Sequence, residues 1–265
     1  MIYNYFMKNK KLLVSIFTSV LLIGVIGFFV FKNLNKEKEE GGVSVEINGG
    51  LNGAIVKELS SETTQLGNVL SQAPSLDKPI VIKNVFTPDV EKIFQKNIQD
   101  QLDYLKDNKT DSNGWITLGT LRKAVGDYDG AREAWNFAVL LNPESSVAFF
   151  NLGELYGFYL KDLPNAEKNY LLAIQKDSQN SQAYTDLADL YWADRKGEKQ
   201  ERIESLLKKG IDTVAGQAKN MIIFRLAKYY EDIKELGNAA IYYDMFLKND
   251  PANADIQQKL IELQR

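Results

Sequence analysis

Asp186 and Asp189 are the two side chains best spaced to do chemistry together. Three residues apart, they share one face of a helix, where they could receive a basic partner, and a solvated acidic face explains them equally well. Paired carboxylates can run acid–base catalysis without further titratable groups, provided their surroundings push the two apart in acidity. Most other catalytic chemistry is closed to this chain. It has no histidine and no cysteine. That removes the commonest general base, the triads built on it, thiolate or imidazole metal sites, and disulfides. The polar run DNKTDSNG at residues 107–114 has the composition of a calcium loop but not its register. Counting back from Gly114 as the loop glycine puts Lys109 at the first ligand position and Thr120 at the last. The run is therefore a polar turn, and no metal, cofactor or catalytic residue is expected from it. Asn108-Lys109-Thr110 is a glycosylation sequon, which has meaning only in a eukaryotic secretory setting.

Helices must position these groups. In WITLGTLRKAVGDYDGAREAWNFAVLLNP, residues 115–143, two apolar stripes stand at spacings of three and four. Trp115, Leu118 and Gly119 form one, and Ala131, Trp135 and Ala138 the other. Gly126-Asp127-Tyr128 turns the chain between them, and Asn142-Pro143 stops the second helix. Large and small residues alternate, so the helices can approach closely as a hairpin. The hairpin recurs. Phe149, Leu152, Gly153 and Tyr156, then Ala166, Tyr170 and Ala173, repeat it with one added residue in the turn. Tyr184, Leu187, Ala188 and Tyr191, then Ile203, Leu207 and Gly210, form a looser third copy. Ile223, Leu226, Ala227 and Tyr230, then Ala239, Tyr243, Phe246 and Pro251, form a fourth. The interval is about 34 to 37 residues, as in stacked helix-turn-helix arrays.

The order aromatic, Leu-Gly, Tyr, Ala, aromatic, Ala, Pro resembles the tetratricopeptide repeat over residues 112–253. The first copy departs from it at Arg122, where an aromatic is usual. The second has Ser178 in place of the closing proline, and the third has Ile203 and Gly210 in place of alanines. The resemblance implies an all-α fold, a right-handed α-solenoid, with copies at 112–145, 146–180, 181–217 and 220–253. It also implies a groove lined by the first helix of each copy, where proteins or peptides bind. Carried over position by position, that groove comprises Ile116, Thr120 and Lys123; Phe150, Asn151, Glu154 and Phe158; Asp186, Asp189 and Trp192; and Phe224, Arg225 and Lys228. The alternative for Phe150, Phe158 and Trp192 is packing between helices. Family members that grip chaperone tails use a clamp of lysines, asparagines and arginine. Only Asn151 matches it, since Ile116, Thr120, Gln182 and Asp186 fill the other positions, so chaperone tails are not the expected ligand.

Around the repeats the chain divides further. The formal net charge is −3. The first 40 residues carry six lysines against three glutamates, leaving +3 there and −6 on the remaining 225. An acidic body argues against a phosphate-binding surface, and no nucleic-acid partner is expected. Residues 1–11 are a short tail with Lys8, Lys10 and Lys11. Residues 12–31 are 20 uncharged, mostly apolar residues, about 30 Å of helix and long enough to span a bilayer. The run exceeds a usual signal-peptide core and Phe28 to Lys32 offers no small-x-small cleavage site, which favours a single-pass signal-anchor over a cleaved leader. No cysteine is available for a lipoprotein anchor. The lysine cluster expects the N-terminus in the cytoplasm and the body outside the cell membrane, although Lys32, Lys36 and Lys38 flank the other end. Ser15 and Ser19 form a small-xxx-small pair that could pack helix on helix.

Glycine pairs and polar residues make 32–86 a flexible linker in this reading, with short strands possible at 43–47 and 80–82. Thr87-Pro88-Asp89 opens a capping helix over 87–111. Residues 254–265 form a C-terminal capping helix, as arrays require. The sequence thus expects a membrane-anchored scaffold for a protein or peptide partner. A self-assembling structural membrane protein, a homo-oligomer, is the alternative. An enzyme built on the groove carboxylates is disfavoured, because 41–86 is too short for a catalytic domain and such a groove is open to water.

Overall fold

From Pro88 onward the three-and-four spacing folds as helix. The computed structural model describes residues 65–194 and 200–263. The apolar run at 12–31 and the expected strand at 43–47 lie outside the described residues. Among the described residues no helix is long and apolar enough to cross a membrane, and no strand is present. The helices are α1 (Pro88–Asp107), α2 (Ser112–Ala124), α3 (Tyr128–Leu141), α4 (Ser146–Glu154), α5 (Leu163–Lys176), α6 (Ser181–Trp192), α7 (Glu201–Thr213), α8 (Lys219–Asp232), α9 (Leu236–Asn249) and α10 (Ala254–Leu263). Helix α4 continues as a π-helical segment, Leu155–Leu160, and a 3-10 turn, Gly216–Ala218, precedes α8. Helices α2 to α9 pair as hairpins, and each hairpin packs on the next. The result is an all-helical, tetratricopeptide-like stack.

Interlocking large and small side chains hold the hairpins shut. Trp135 is fully buried against Gly119, and its indole N–H donates to the Ile116 carbonyl at 3.0 Å. Trp115 meets Phe137 edge-on with ring centroids 4.8 Å apart and donates to the Lys109 carbonyl at 2.8 Å. In the next hairpin a Cβ on Gly153 would stand 2.8 Å from the Tyr170 ring. Leu118, Ala131, Ala138, Leu152, Ala166, Ala173, Ala239 and Tyr243 are all buried, as their spacing predicts. Tyr156 is half-buried and Tyr230 buried, while Pro143 and Pro251 stand exposed just past α3 and α9. Ala131, Trp135, Leu152 and Leu155 form a cluster of their own, which joins the first hairpin to the second.

The turns of the first, second and fourth hairpins share one device. A left-handed residue ends the first helix: Gly126 (φ 83°), Lys161 (φ 57°) and Lys234 (φ 67°). The next N–H then reaches back to the helix, Asp127 to the Arg122 carbonyl at 2.9 Å, Asp162 to Tyr156 at 2.8 Å and Glu235 to Tyr230 at 2.8 Å. Asp127 and Asp162 also cap the following helix by accepting from the N–H of Gly130 and Asn165, whereas Glu235 makes no such bond. The second turn's added residue is taken up by the π-helical segment. Lysine at a left-handed position is strained where glycine is not. Lys234→Gly should therefore raise stability by about 0.5–1 kcal/mol in urea titrations; an unchanged midpoint would show that the turn stores no strain.

The linker reading of 32–86 needs correcting where the structure describes it. Residues 65–70 are helical, and Val69, Leu70, Ala73, Leu76, Ile80, Ile82 and Phe86 pack on the core of α1 to α3. Residues 80–82 are not a strand. Ile80 and Ile82 turn inward and Val81 outward, and the chain is pinned by the N–H groups of Lys83 and Asn84, which donate to the Val125 carbonyl at 2.8 and 3.1 Å. The segment is a strap across the first hairpin. Its apolar residues follow no fixed period, because each meets a different partner. Thr87 likewise makes no side-chain cap; its carbonyl accepts from Glu91 instead. At the far end Glu231 accepts from Lys259 of α10 at 2.6 Å, Lys228 at 3.0 Å and the Tyr243 hydroxyl at 2.9 Å. Burial pushes its carboxyl up, but these bonds prevail and hold it at about 2.

Candidate functional site

The first helices of the hairpins, α2, α4, α6 and α8, carry charges that pair across the stack. Lys123 of α2 binds Glu154 of α4 at 2.5 Å and lies 5.7 Å from the centroid of the Tyr159 ring. Asp189 of α6 binds the Arg225 guanidinium of α8 through Nε. Between the two bridges stands Asp186 of α6, whose carboxylate accepts from Gln182 at 2.5 Å and has no ion pair among the described residues. Burial pushes the Asp186 carboxyl up to about 6, the charges of Asp189 and Glu154 push the same way, and the Gln182 bond opposes them. Beneath this trio is Tyr170 of α5. It is fully buried, and its hydroxyl has no hydrogen-bond partner among the described residues. Burial first, then the charges of Asp186, Glu154 and Asp189, push that phenol well above its ordinary value. One Arg225 nitrogen, Nη1, is also buried without a partner.

The other groove residues implied by the sequence divide into two groups. Phe158 is 44% exposed and Tyr159 beside it 41% exposed, both on the π-helical segment. Tyr159 leans on Tyr128 at 4.8 Å. Thr120 is exposed, and Ile116 and Asn151 are half-buried. Three aromatics fold back on their own stack. Phe150 meets Tyr170 edge-on at 5.9 Å, Trp192 meets Tyr229 at 6.0 Å, and Phe224, still 39% exposed, touches Tyr243 and Phe246. Lys228 turns to Glu231 rather than joining the row. Tyr159 and the Tyr170 hydroxyl belong to the site but were not read from sequence, and Gln182 was read only as filling a clamp position. The added residue in the second turn was the one available signal for Tyr159.

As chemistry, the two aspartates are not a pair of free carboxylates sharing a proton. Asp189 is neutralised by Arg225, which leaves Asp186 as one raised carboxyl beside an ion pair. The arrangement can receive a positive charge; a second free acid or base beside it is lacking among the described residues.

No family model matches the chain, and no curated protein does. Solved structures are similar to it in fold. A crystal structure of MamA is 19% identical, covering 65% of this chain and 99% of that one with a TM-score of 0.50. A second structure of the MamA protein is also 19% identical, covering 63% and 88% with a TM-score of 0.50. TTC0263, a thermophilic TPR protein of Thermus thermophilus, is 16% identical and covers 64% and 90% with a TM-score of 0.46. At such identities the likeness is one of fold.

Proposed function

We propose that the chain is a tetratricopeptide-type scaffold, anchored to the cell membrane through residues 12–31, that holds a protein or peptide partner along α2, α4, α6 and α8. It serves an envelope, secretion or assembly complex with its body outside the cytoplasm. The observation that carries the partner site is the aromatic pair Phe158 and Tyr159, left exposed beside the Lys123–Glu154 bridge by the π-helical segment. Exposed aromatics next to ion pairs are the composition of protein-recognition hot spots. The anchor reading rests on the length and apolarity of 12–31.

The test is affinity capture from detergent-solubilised membranes with the full chain and with its Phe158→Ala/Tyr159→Ala form. The double variant should lose at least about tenfold of the specifically retained partner, the scale of two lost aromatic anchors. Equal capture by both forms would reject this face as the site. Deleting residues 1–31 should release the chain from carbonate-washed membranes; retention would reject the anchor.

A further inference from the structure

We propose that the group this row of helices recognises is a single lysine or arginine side chain of the partner, seated on the Asp186 carboxylate between the Lys123–Glu154 and Asp189–Arg225 bridges. The inference rests on the scaffold reading and names its ligand chemistry.

Three acids gather here, but two have their counter-charge within the stack. Asp186 has only the amide of Gln182. Among the described residues no cation pairs with it. A half-buried carboxylate whose neighbours are also acids is unfavourable when ionised and is relieved by a positive charge brought from outside. The second observation is the Tyr170 hydroxyl, buried without a partner under the same three acids. A buried polar group left unpaired is costly. A cation bound on the acids above it can reach that oxygen through one water once the side chains over it part. A divalent metal fits poorly, because calcium takes six to eight oxygens and Glu154 and Asp189 are already engaged. Phe158, Tyr159 and Phe224, exposed on the same run of helices, can cover the apolar stem that carries the cation.

The groups that face Asp186 are Glu154 from α4, Tyr170 from α5, Gln182 and Asp189 from its own helix, and Arg225 of α8 held through Asp189. Its carboxyl titrates near 6 against an ordinary 3.8. A carboxyl raised on folding contributes stability fully below pH 4 and loses that contribution as pH rises through about 6. Ionised Asp186 is therefore a burden on the free protein at neutral pH, and a bound cation removes the burden.

The test is selection from a random peptide library on the full chain in detergent, for wild type, Asp186→Asn and Phe158→Ala/Tyr159→Ala. Wild type should enrich peptides with one lysine or arginine at a fixed position. Asp186→Asn should weaken those peptides by about tenfold to a hundredfold, the loss on removing one partner of a buried charge pair. Wild-type binding should fall about tenfold between pH 7.5 and pH 5, and the Asn form should lose that dependence. The thermal midpoint of Asp186→Asn at pH 7.5 should rise, because the amide keeps the Gln182 bond without the charge; a merely structural aspartate would give a fall. Enriched peptides with no fixed cationic position, or with acidic residues there, would overturn the inference and leave the scaffold standing. Failure to enrich any peptide above the Phe158→Ala/Tyr159→Ala background would overturn the scaffold reading itself.

Discussion

Trp135→Ala should cost about 3–5 kcal/mol, the usual loss when a buried tryptophan is truncated. The ring is fully buried, and it fills the space that Gly119 leaves by having no side chain. Truncation therefore opens a cavity between α2 and α3 and also removes the indole donor of the Ile116 carbonyl. The ring also belongs to the small cluster that couples the first hairpin to the second. In a linear stack, stability is a sum of hairpin terms and interface terms. The urea transition followed by circular dichroism should accordingly shift to lower denaturant and broaden, as the first hairpin and strap begin to melt separately. Trp135→Phe keeps most of the area and loses the indole N–H, so about 1–2 kcal/mol is expected. A cost below about 1 kcal/mol for Trp135→Ala would mean that the large-against-small interlock does not hold the hairpin.

Arg122→Ala should cost as much for a different reason. Arg122 and Asp127 are joined at 2.5 Å with side chains only 7% and 8% exposed. The second oxygen of Asp127 caps α3 through the Gly130 N–H at 3.1 Å. Gly130 leaves room for the pair, since a Cβ there would lie 2.5 Å from Nη1 of Arg122 and the bridge would have to shift. Removing the arginine strands a buried carboxylate, a loss of about 3–5 kcal/mol. Removing both charges is different, because a buried ion pair often gains nothing over well-packed residues. Tyrosines occupy the matching position in the later copies, Tyr156, Tyr191 and Tyr230. Arg122→Tyr with Asp127→Ser, which restores an aromatic and keeps a capping hydroxyl, should recover most of the loss. If the double variant is as weak as Arg122→Ala, the bridge itself carries the stability.

The repeats were legible because their signal is local. Leu118-Gly119, Leu152-Gly153 and the alanines that face them recur at a fixed interval, and burial at those positions follows from helical geometry alone. Even the degenerate third copy obeys it, with Gly210 so placed that a Cβ there would lie 3.0 Å from the Tyr184 ring, by the same close-approach logic. The strap was not legible, since Val69 to Phe86 find their partners in tertiary space and so carry no period. The site was half legible. Residue types along α2, α4, α6 and α8 could be named, but Lys123 and Glu154 stand 31 residues apart and Asp189 and Arg225 stand 36 apart. Which charges neutralise each other, and hence which is left over, depends on how the helices stack. Lys228 shows the limit: its helical offset points to the groove, yet a glutamate one turn away captures it.

The wide turn at Leu155–Leu160 has a geometric consequence. A residue inserted into an ordinary helix rotates everything downstream by about 100°, which would throw a repeating stack out of phase. Here the surplus is swallowed within one turn, so that Ala166, Tyr170 and Ala173 come back into their columns. Copies of unequal length can therefore sit side by side without rebuilding the stack.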